Sequence, residues 1–405
     1  MTEWRKRCLG EITSFMSKGI PPKYVERENE NTVRVLNQKC NRNFEIKYEE
    51  SRLHDCSKKK VPADKMLQPG DVLINSTGTG TAGRVAQLYD VPTPTTIDGH
   101  MILLRPTEEI DSIYYGYAVK AFQPKIETLA EGSTGQTEIN RKRLQEEIVI
   151  SFPKEKETQE RIARFLLNID EKIKVNDKIN KNLEQQAQVI FKSWFVDFKP
   201  FGGNRPIDWI TGIVDDLGAK IICGKTPSTK KKEYYGGNTP FITIPDMHGC
   251  VYNVSTERYL SATGVASQPK KTLPPNTVCV SCIGTAGLVT LVSEKSQSNQ
   301  QINSIVPKKG ISAYYVYLLM QTLSETINKL GQSGSTIVNL NKTQFSKIPV
   351  TIPSEEVLCN FDTLCKPLFE MILSNQKENI KLANLRDTLL PKLMSGELDV
   401  SDIDL

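Results

Sequence analysis

Residues 157–198 read ETQERIARFLLNIDEKIKVNDKINKNLEQQAQVIFKSWFVDF. Advancing by three and four from Ile162 meets Leu166, Ile169, Ile173, Asn176, Asn180, Leu183, Ala187, Ile190 and Trp194. One face of a helix therefore carries an apolar side chain at nearly every turn, broken only by the two asparagines. No Pro or Gly interrupts the stretch. The stripe has the width of a coiled-coil seam, and at 1.5 Å per residue it predicts a rod of about 60 Å. A lone helix with one apolar stripe needs a partner along its length.

That partner lies in the same chain. The same stepping from Phe361 meets Cys365, Leu368, Ile372, Asn375, Asn379, Leu382, Arg386, Leu389 and Leu393. Both rods place two consecutive asparagines in the seam, Asn176 and Asn180 in the first, Asn375 and Asn379 in the second. A seam Asn lowers stability and specifies register. The pattern predicts an intramolecular antiparallel coiled coil, with Asn176 opposite Asn379 and Asn180 opposite Asn375.

Between the rods the chain repeats itself. In residues 1–153, Trp4 and Leu9–Gly10 lead to Gly19-Ile-Pro-Pro22. A Pro-Gly turn then feeds an alternating strand ending at Ser76, a Gly/Thr loop spans 77–83, and a second strand runs from Arg84 to Tyr89. Tyr114-Tyr115 opens a helical stretch, Gly132-Ser-Thr134 makes a polar turn, and an apolar run from Ile148 ends at Pro153. Residues 204–353 follow the same order: Trp209, Leu217–Gly218, Gly224-Lys-Thr-Pro227, a strand ending near Cys282, Gly284-Thr-Ala-Gly287, Tyr314-Tyr315, Gly334-Ser-Thr336, and a run ending at Pro353. A period near 200 residues describes a tandem duplication, not a solenoid. The expected fold is α/β (α+β) with a pseudo-twofold internal repeat: globule 1–153, rod and linker 154–203, globule 204–353, rod and tail 354–405. Residues 198–206 read as the linker between repeats.

At 405 residues the chain is too long for one core. It has no apolar run long enough to span a membrane, and MTEWRKRCLGEI lacks the apolar core of a signal peptide. The nine cysteines, odd in number and irregular in spacing, fit reduced thiols and a cytoplasmic location. A net charge of +5 is unevenly spread, with residues 200–353 basic and 354–405 acidic. That permits nucleic-acid binding without requiring it.

Several stretches identify the arrangement as resembling the specificity subunit of Type I restriction-modification systems. They are Gln159-Glu-Arg-Ile-Ala-Arg-Phe-Leu166, Phe191-Lys-Ser-Trp-Phe-Val-Asp-Phe198, the run from Leu385 to Leu398, Gly224-Lys-Thr-Pro227 and Gln300-Gln-Ile-Asn303. The resemblance covers essentially the whole chain. It implies two target-recognition domains, each reading one part of a split double-stranded DNA site, with the helices separating them. It also implies two modification subunits that carry S-adenosylmethionine and methylate adenine, and restriction subunits that use ATP and Mg. This chain itself would hold no cofactor and no metal and would not be catalytic. The sequence departs from its own repeat in the longer Gly/Thr loop at 78–83 and in His100 standing where the second repeat has Gln301.

Other signals point elsewhere only weakly. Gly218-x5-Gly224-Lys225-Thr226 misses phosphate-loop spacing by one residue, and Pro227 follows where a helix should open. Cys279-x2-Cys282 has no second pair at zinc spacing and sits in a strand-like run, as core thiols do. Asp170-Glu-Lys172 resembles a nuclease set but lies mid-rod, where charges flanking a seam form a solvated face. Trp194, Phe195 and Phe198 read as packing against the adjoining globule. The DNA-contact candidates are Lys58, Lys59 and Lys60, then Thr77, Thr79, Thr81 and Arg84 of the loop, and Ser133 and Thr134. From the second repeat come Lys230, Lys231, Lys232, Thr285 and Ser335. Lysines would bind phosphates without sequence preference, while Thr and Ser hydroxyls would reach phosphates or base edges. Solubilising lysine runs and plain hairpin turns are the competing readings. The rival function is a cytoplasmic coiled-coil scaffold with two peptide- or protein-binding domains.

Overall fold

The computed structural model of the chain describes residues 3–132, 137–332 and 338–398. Ser133, Thr134 and Ser335 lie outside the described residues. Two helices dominate: Lys156–Phe195 and Glu355–Ser395. The second stays helical through Pro367 and Pro391. Contacts divide the chain into two units, residues 1–171 with 383–405, and residues 172–382. This grouping differs from the sequence order of globule, rod, globule, rod, because each globule is packed against portions of both helices. Among the described residues no helix is long and apolar enough to cross a membrane.

In the first unit an antiparallel sheet runs in the order Thr13–Lys18, Met101–Pro106, Val72–Asn75, Val85–Gln87. A second sheet orders Thr95–Ile97, Thr32–Leu36, Arg52–Asp55 and Tyr24–Val25, with one parallel pair at its edge. Trp4–Cys8 pairs with Val149–Pro153. The helix Ser112–Ala121, capped by Asp111, buries Tyr114, Tyr115 and Tyr117 beneath the first sheet's core. Ile162, Ala163 and Leu166 from one long helix and Leu390, Leu393 and Met394 from the other belong to that same core. Burying apolar area of this kind contributes about 25 cal/mol per Å2, so these helical segments are part of the globule and not merely spacers.

The second unit repeats the plan. Its main sheet runs Gly218–Cys223, Ile302–Pro307, Val278–Ser281, Val289–Val292, and adds Tyr252–Asn253 at the far edge. Ile210–Ile213 pairs with Pro349–Ile352. The helix Ala313–Thr322 takes the place of Ser112–Ala121, capped by Ser312. Its Tyr315 hydroxyl donates to the carbonyl of Thr351, as Tyr114 donates to that of Ser151. Tyr114 thus corresponds to Tyr315, one place out of step with the Tyr-Tyr pairs read from sequence. Ala187, Phe191, Phe361, Cys365, Phe369 and Ile372 complete this core from the long helices. Phe191 and Phe369 lie outside the predicted seams: a second apolar strip on each helix faces a globule.

The predicted linker is an ordered turn. Phe198 and Gly202 both take left-handed backbone around the 3-10 turn Lys199–Phe201, and the rings of Phe195, Phe198 and Phe201 close on Trp209 at 5.6, 5.8 and 5.1 Å. Phe195 also meets Tyr315 at 4.8 Å. These aromatics pack on the adjoining globule.

Within the second unit the two helices run antiparallel. Asn176 Nδ2 donates to Asn379 Oδ1 at 2.8 Å, and Asn375 Nδ2 donates to Asn180 Oδ1 at 2.9 Å. Asn379 Nδ2 reaches Asp177 at 2.8 Å.

Candidate nucleic-acid interface

The Gly/Thr loop of the first unit turns between Val72–Asn75 and Val85–Gln87 and is braced by its own polar groups. Gln38 Nε2 donates to the carbonyl of Thr77 at 2.6 Å, and Thr77 Oγ1 lies 2.9 Å from Nδ1 of His100. The Arg84 guanidinium donates to the Gly80 carbonyl at 2.9 Å, and the Thr81 amide to that of Gly78 at 3.0 Å. Thr77, Thr81 and Arg84 are therefore engaged in shaping the turn, while Thr79 stands exposed at its tip. In the second unit Thr285 is the exposed counterpart, beside Gly284.

The last glycine of each loop has a packing role. Gly83 has φ +87°, and a Cβ there would lie 2.7 Å from Cα of Glu127. Gly287, at φ +89°, would press on Ser324. Left-handed backbone and close approach both require glycine. Those two glycines seat the loop against the short helix Gln123–Glu127 in the first unit and the start of the helix Ser324–Gly331 in the second, leaving the exposed threonines as its outward chemistry.

The two lysine runs are exposed but not equivalent. Lys58, Lys59 and Lys60 follow the strand Arg52–Asp55, with Lys58 3.5 Å from the Asp55 carboxylate. Lys230, Lys231 and Lys232 precede Tyr235–Ile242, and Lys231 Nζ donates to the Tyr234 hydroxyl at 3.1 Å. The duplication does not relate these runs, so the structure does not bring them together as one repeated feature.

Sequence reasoning missed a lysine whose role is repeated. Lys65 Nζ donates to the carbonyl of Lys18 at 2.8 Å, and Lys271 Nζ donates to that of Cys223 at 2.8 Å. Lys18 and Cys223 are the matching last residues of the edge strands in the two main sheets. Burial, and then the neighbouring Arg141, hold the Lys18 pKa below its usual value; Lys18 also contacts Glu138. These residues lie far apart in sequence and form no run, so only the sheet order reveals them.

Other candidates resolve into structure. The amides of Gly224 and Lys225 donate to the carbonyls of Ile302 and Ser298 at 3.0 and 2.9 Å, so they are not aimed at a phosphate. Cys279 and Cys282 are buried in the second unit, and burial pushes both thiols up to about 12. Among the described residues no three His, Cys, Asp or Glu side chains converge as a metal site would.

Asp170 corrects the sequence reading. It is not on a solvated face but only 9% exposed. It accepts a hydrogen bond from the Tyr117 hydroxyl at 2.6 Å and is ion-paired with Arg386. The seam position that reads as Arg386 in the second rod is thereby explained: the guanidinium is matched by a carboxylate where a Leu would be expected. Glu171 and Lys172 are exposed, as predicted.

The family model for the Type I restriction modification DNA specificity domain matches residues 1–185 and 206–362. The specificity subunit of the Type I restriction enzyme HindI from Haemophilus influenzae is 30% identical over 98% of this chain and 100% of its own length. That of MjaIX from Methanocaldococcus jannaschii is 26% identical over 72% of this chain and 69% of its own. The crystal structure of a Type I restriction-modification S subunit from M. genitalium shares the fold, with a TM-score of 0.59 over 97% of this chain and 96% of that one at 18% identity. With its duplicated sheets and a match across both repeats, the chain belongs to the DNA specificity subunits of Type I restriction-modification systems.

Proposed function

We propose that this chain is a non-catalytic cytoplasmic subunit that reads a bipartite double-stranded DNA site, one part with each unit. The observation that carries the reading is the duplication: one sheet order, one capped helix and one exposed loop threonine recur in both units. A protein presenting the same surface twice suits a polymer that offers two separated patches of similar shape, as duplex DNA does. The paired helices set the gap between the two parts. In this reading Thr79 and Thr285 meet DNA, while basic side chains supply affinity without sequence preference.

The same helices dock two modification subunits. Val175, Ile179 and Met371 are 49%, 41% and 52% exposed. A partner docking on the helices would gain apolar burial at these side chains. S-adenosylmethionine belongs on the modification subunit, and ATP and Mg on the restriction subunit of the full complex.

Exchanging residues 204–353 for the matching segment of a relative tests the division of labour. Methylation-aware sequencing of DNA from cells carrying the chain and its modification partner should show one part of the site changed and the other intact. A change in both parts together would refute independent reading.

A further inference from the structure

Beside the edge strand Gly218–Cys223 lies an open groove of about 320 Å3, lined by Lys220, Ile222, Cys223, Lys270, Lys271 and Lys342. Lysines from three separate elements meet there: the strand itself, the 3-10 turn Pro269–Lys271, and the first turn of the helix Lys342–Ser346. Among the described residues none of the four is ion-paired with a carboxylate. Lys271 is held by the Cys223 carbonyl, which fixes one wall. Lys220, Lys270 and Lys342 are exposed. Four lysines lining one groove without a paired carboxylate among the described residues give it a positive potential that attracts an anion.

The duplication supplies the second, independent observation. Lys65 ends the 3-10 turn Ala63–Lys65 and holds the carbonyl of Lys18, as Lys271 does for Cys223. Arg141 occupies the first position of the helix capped by Asn140, as Lys342 does after Asn341. The first unit therefore repeats two of these cations, Lys65 and Arg141, beside the corresponding strand edge, while Lys18 there is ion-paired with Glu138 and Phe15 and Asp64 take the places of Lys220 and Lys270. The exposed lysine runs at 58–60 and 230–232 have no such correspondence.

We infer that the groove beside Gly218–Cys223 carries DNA phosphates, with Lys220, Lys270 and Lys342 as the contacting cations. This rests on the DNA-reading function proposed above and names the surface that executes its sequence-independent part. The class of ligand is the phosphodiester backbone of duplex DNA, because cations on three elements follow an extended anion better than a single phosphate.

The experiment uses the full chain with its modification partner and a duplex containing the site found by methylation-aware sequencing. The quantity read is the slope of log Kobs against log salt, which falls by about 0.9 for each phosphate contact removed. The set Lys220→Gln, Lys270→Gln and Lys342→Gln should flatten the slope by about 2 to 3. It should weaken specific and mixed-sequence duplexes alike and leave the methylated sequence unchanged. The corresponding Lys→Arg set should keep the wild-type slope, and replacing Lys230, Lys231 and Lys232 by Gln should flatten it less. If the triple variant does not fold by thermal unfolding, Lys342→Gln alone should still lower the slope by about 0.9. A wild-type slope in the Gln set, with site-specific binding intact, overturns the groove and leaves the DNA-reading function standing. A changed methylated sequence overturns the phosphate assignment, because bases would then be read there. Preferential displacement of the duplex by RNA overturns the choice of ligand. If the wild-type complex binds no duplex at all, the DNA-reading function itself falls.

Discussion

Asn176 and Asn379 face one another across the long helices of the second unit, joined by an amide-to-carbonyl hydrogen bond of 2.8 Å. Asn180 and Asn375 form the matching pair at 2.9 Å. Polar pairs in a largely apolar seam bond one another in one alignment only, and sliding either helix separates both asparagine pairs. Replacing all four by Leu should raise stability by about 1–4 kcal/mol and release the register. Cysteine pairs introduced one heptad out of register should cross-link in the variant and not in the wild type.

Asp170 and Arg386 make a second polar contact between the helices, in the first unit. Asp170→Ala leaves the partly buried Arg386 guanidinium with Asp387 as its remaining carboxylate partner and should destabilise the chain by about 1–3 kcal/mol. Adding Arg386→Ala should recover part of that loss, and a double-mutant cycle by chemical denaturation measures the coupling.

Lys120 is the least comfortable charge in the same unit. Its Nζ is buried without a hydrogen-bond partner among the described residues and lies 4.4 Å from the Phe44 ring centroid. Asp170, Asp387 and Glu45 attract it and Arg386 repels it, but burial prevails and lowers its pKa to about 8. In the unfolded chain the value is about 10.4. Between these values the unfolded chain keeps a proton that the folded chain has released, so stability rises with pH from about 8 to about 10.5. Below that window the burden of a buried cation is constant. Gln321 takes the equivalent place in the second repeat and bonds Glu184 and the Tyr317 hydroxyl, each at 2.8 Å. Lys120→Met should stabilise the chain by about 1–3 kcal/mol at pH 7 and abolish the rise in unfolding midpoint across that window.

The gap between the two DNA parts should follow helix length. Inserting seven residues between Leu183 and Ala187, and seven more between Leu382 and Arg386, keeps both seams in phase and adds about 10 Å of rod. The proposed function predicts unchanged half-sites and a gap longer by about three base pairs. Methylation at the original gap by a folded, partner-bound variant would mean that the helices do not set the spacing.

The helices and the duplication were legible because both are periodic. A 3.6-residue stripe and a 200-residue repeat each announce themselves without reference to space. The seam asparagines were readable for the same reason, as two interruptions in each stripe. What the sequence conceals is convergence. Nothing in the neighbourhood of Lys220, Lys270 or Lys342 predicts that strand, turn and helix will meet at one groove. Asp170 looked like one more surface charge because its partners, Tyr117 and Arg386, come from elements far away in the chain. Phe191 and Phe369 escaped the seam because each helix serves two neighbours, and a single-stripe reading can assign only one. The lysine runs drew notice for being contiguous, which is a property of the chain and not of the folded surface.

The first unit is discontinuous in sequence, since Leu390, Leu393 and Met394 close a core begun by Leu9 and Ile12. A ribosome delivers these pieces in order, with the whole second unit between them. The earlier segment must therefore wait, its apolar face incompletely covered, until translation of the later helix is finished. A chain interrupted before residue 383 would hold a second unit able to fold and a first unit lacking its closing side chains, and quality-control proteases act on such exposed surface. The first unit's core is thus completed only after residues 390–394 have been made, long after the sheet they cover.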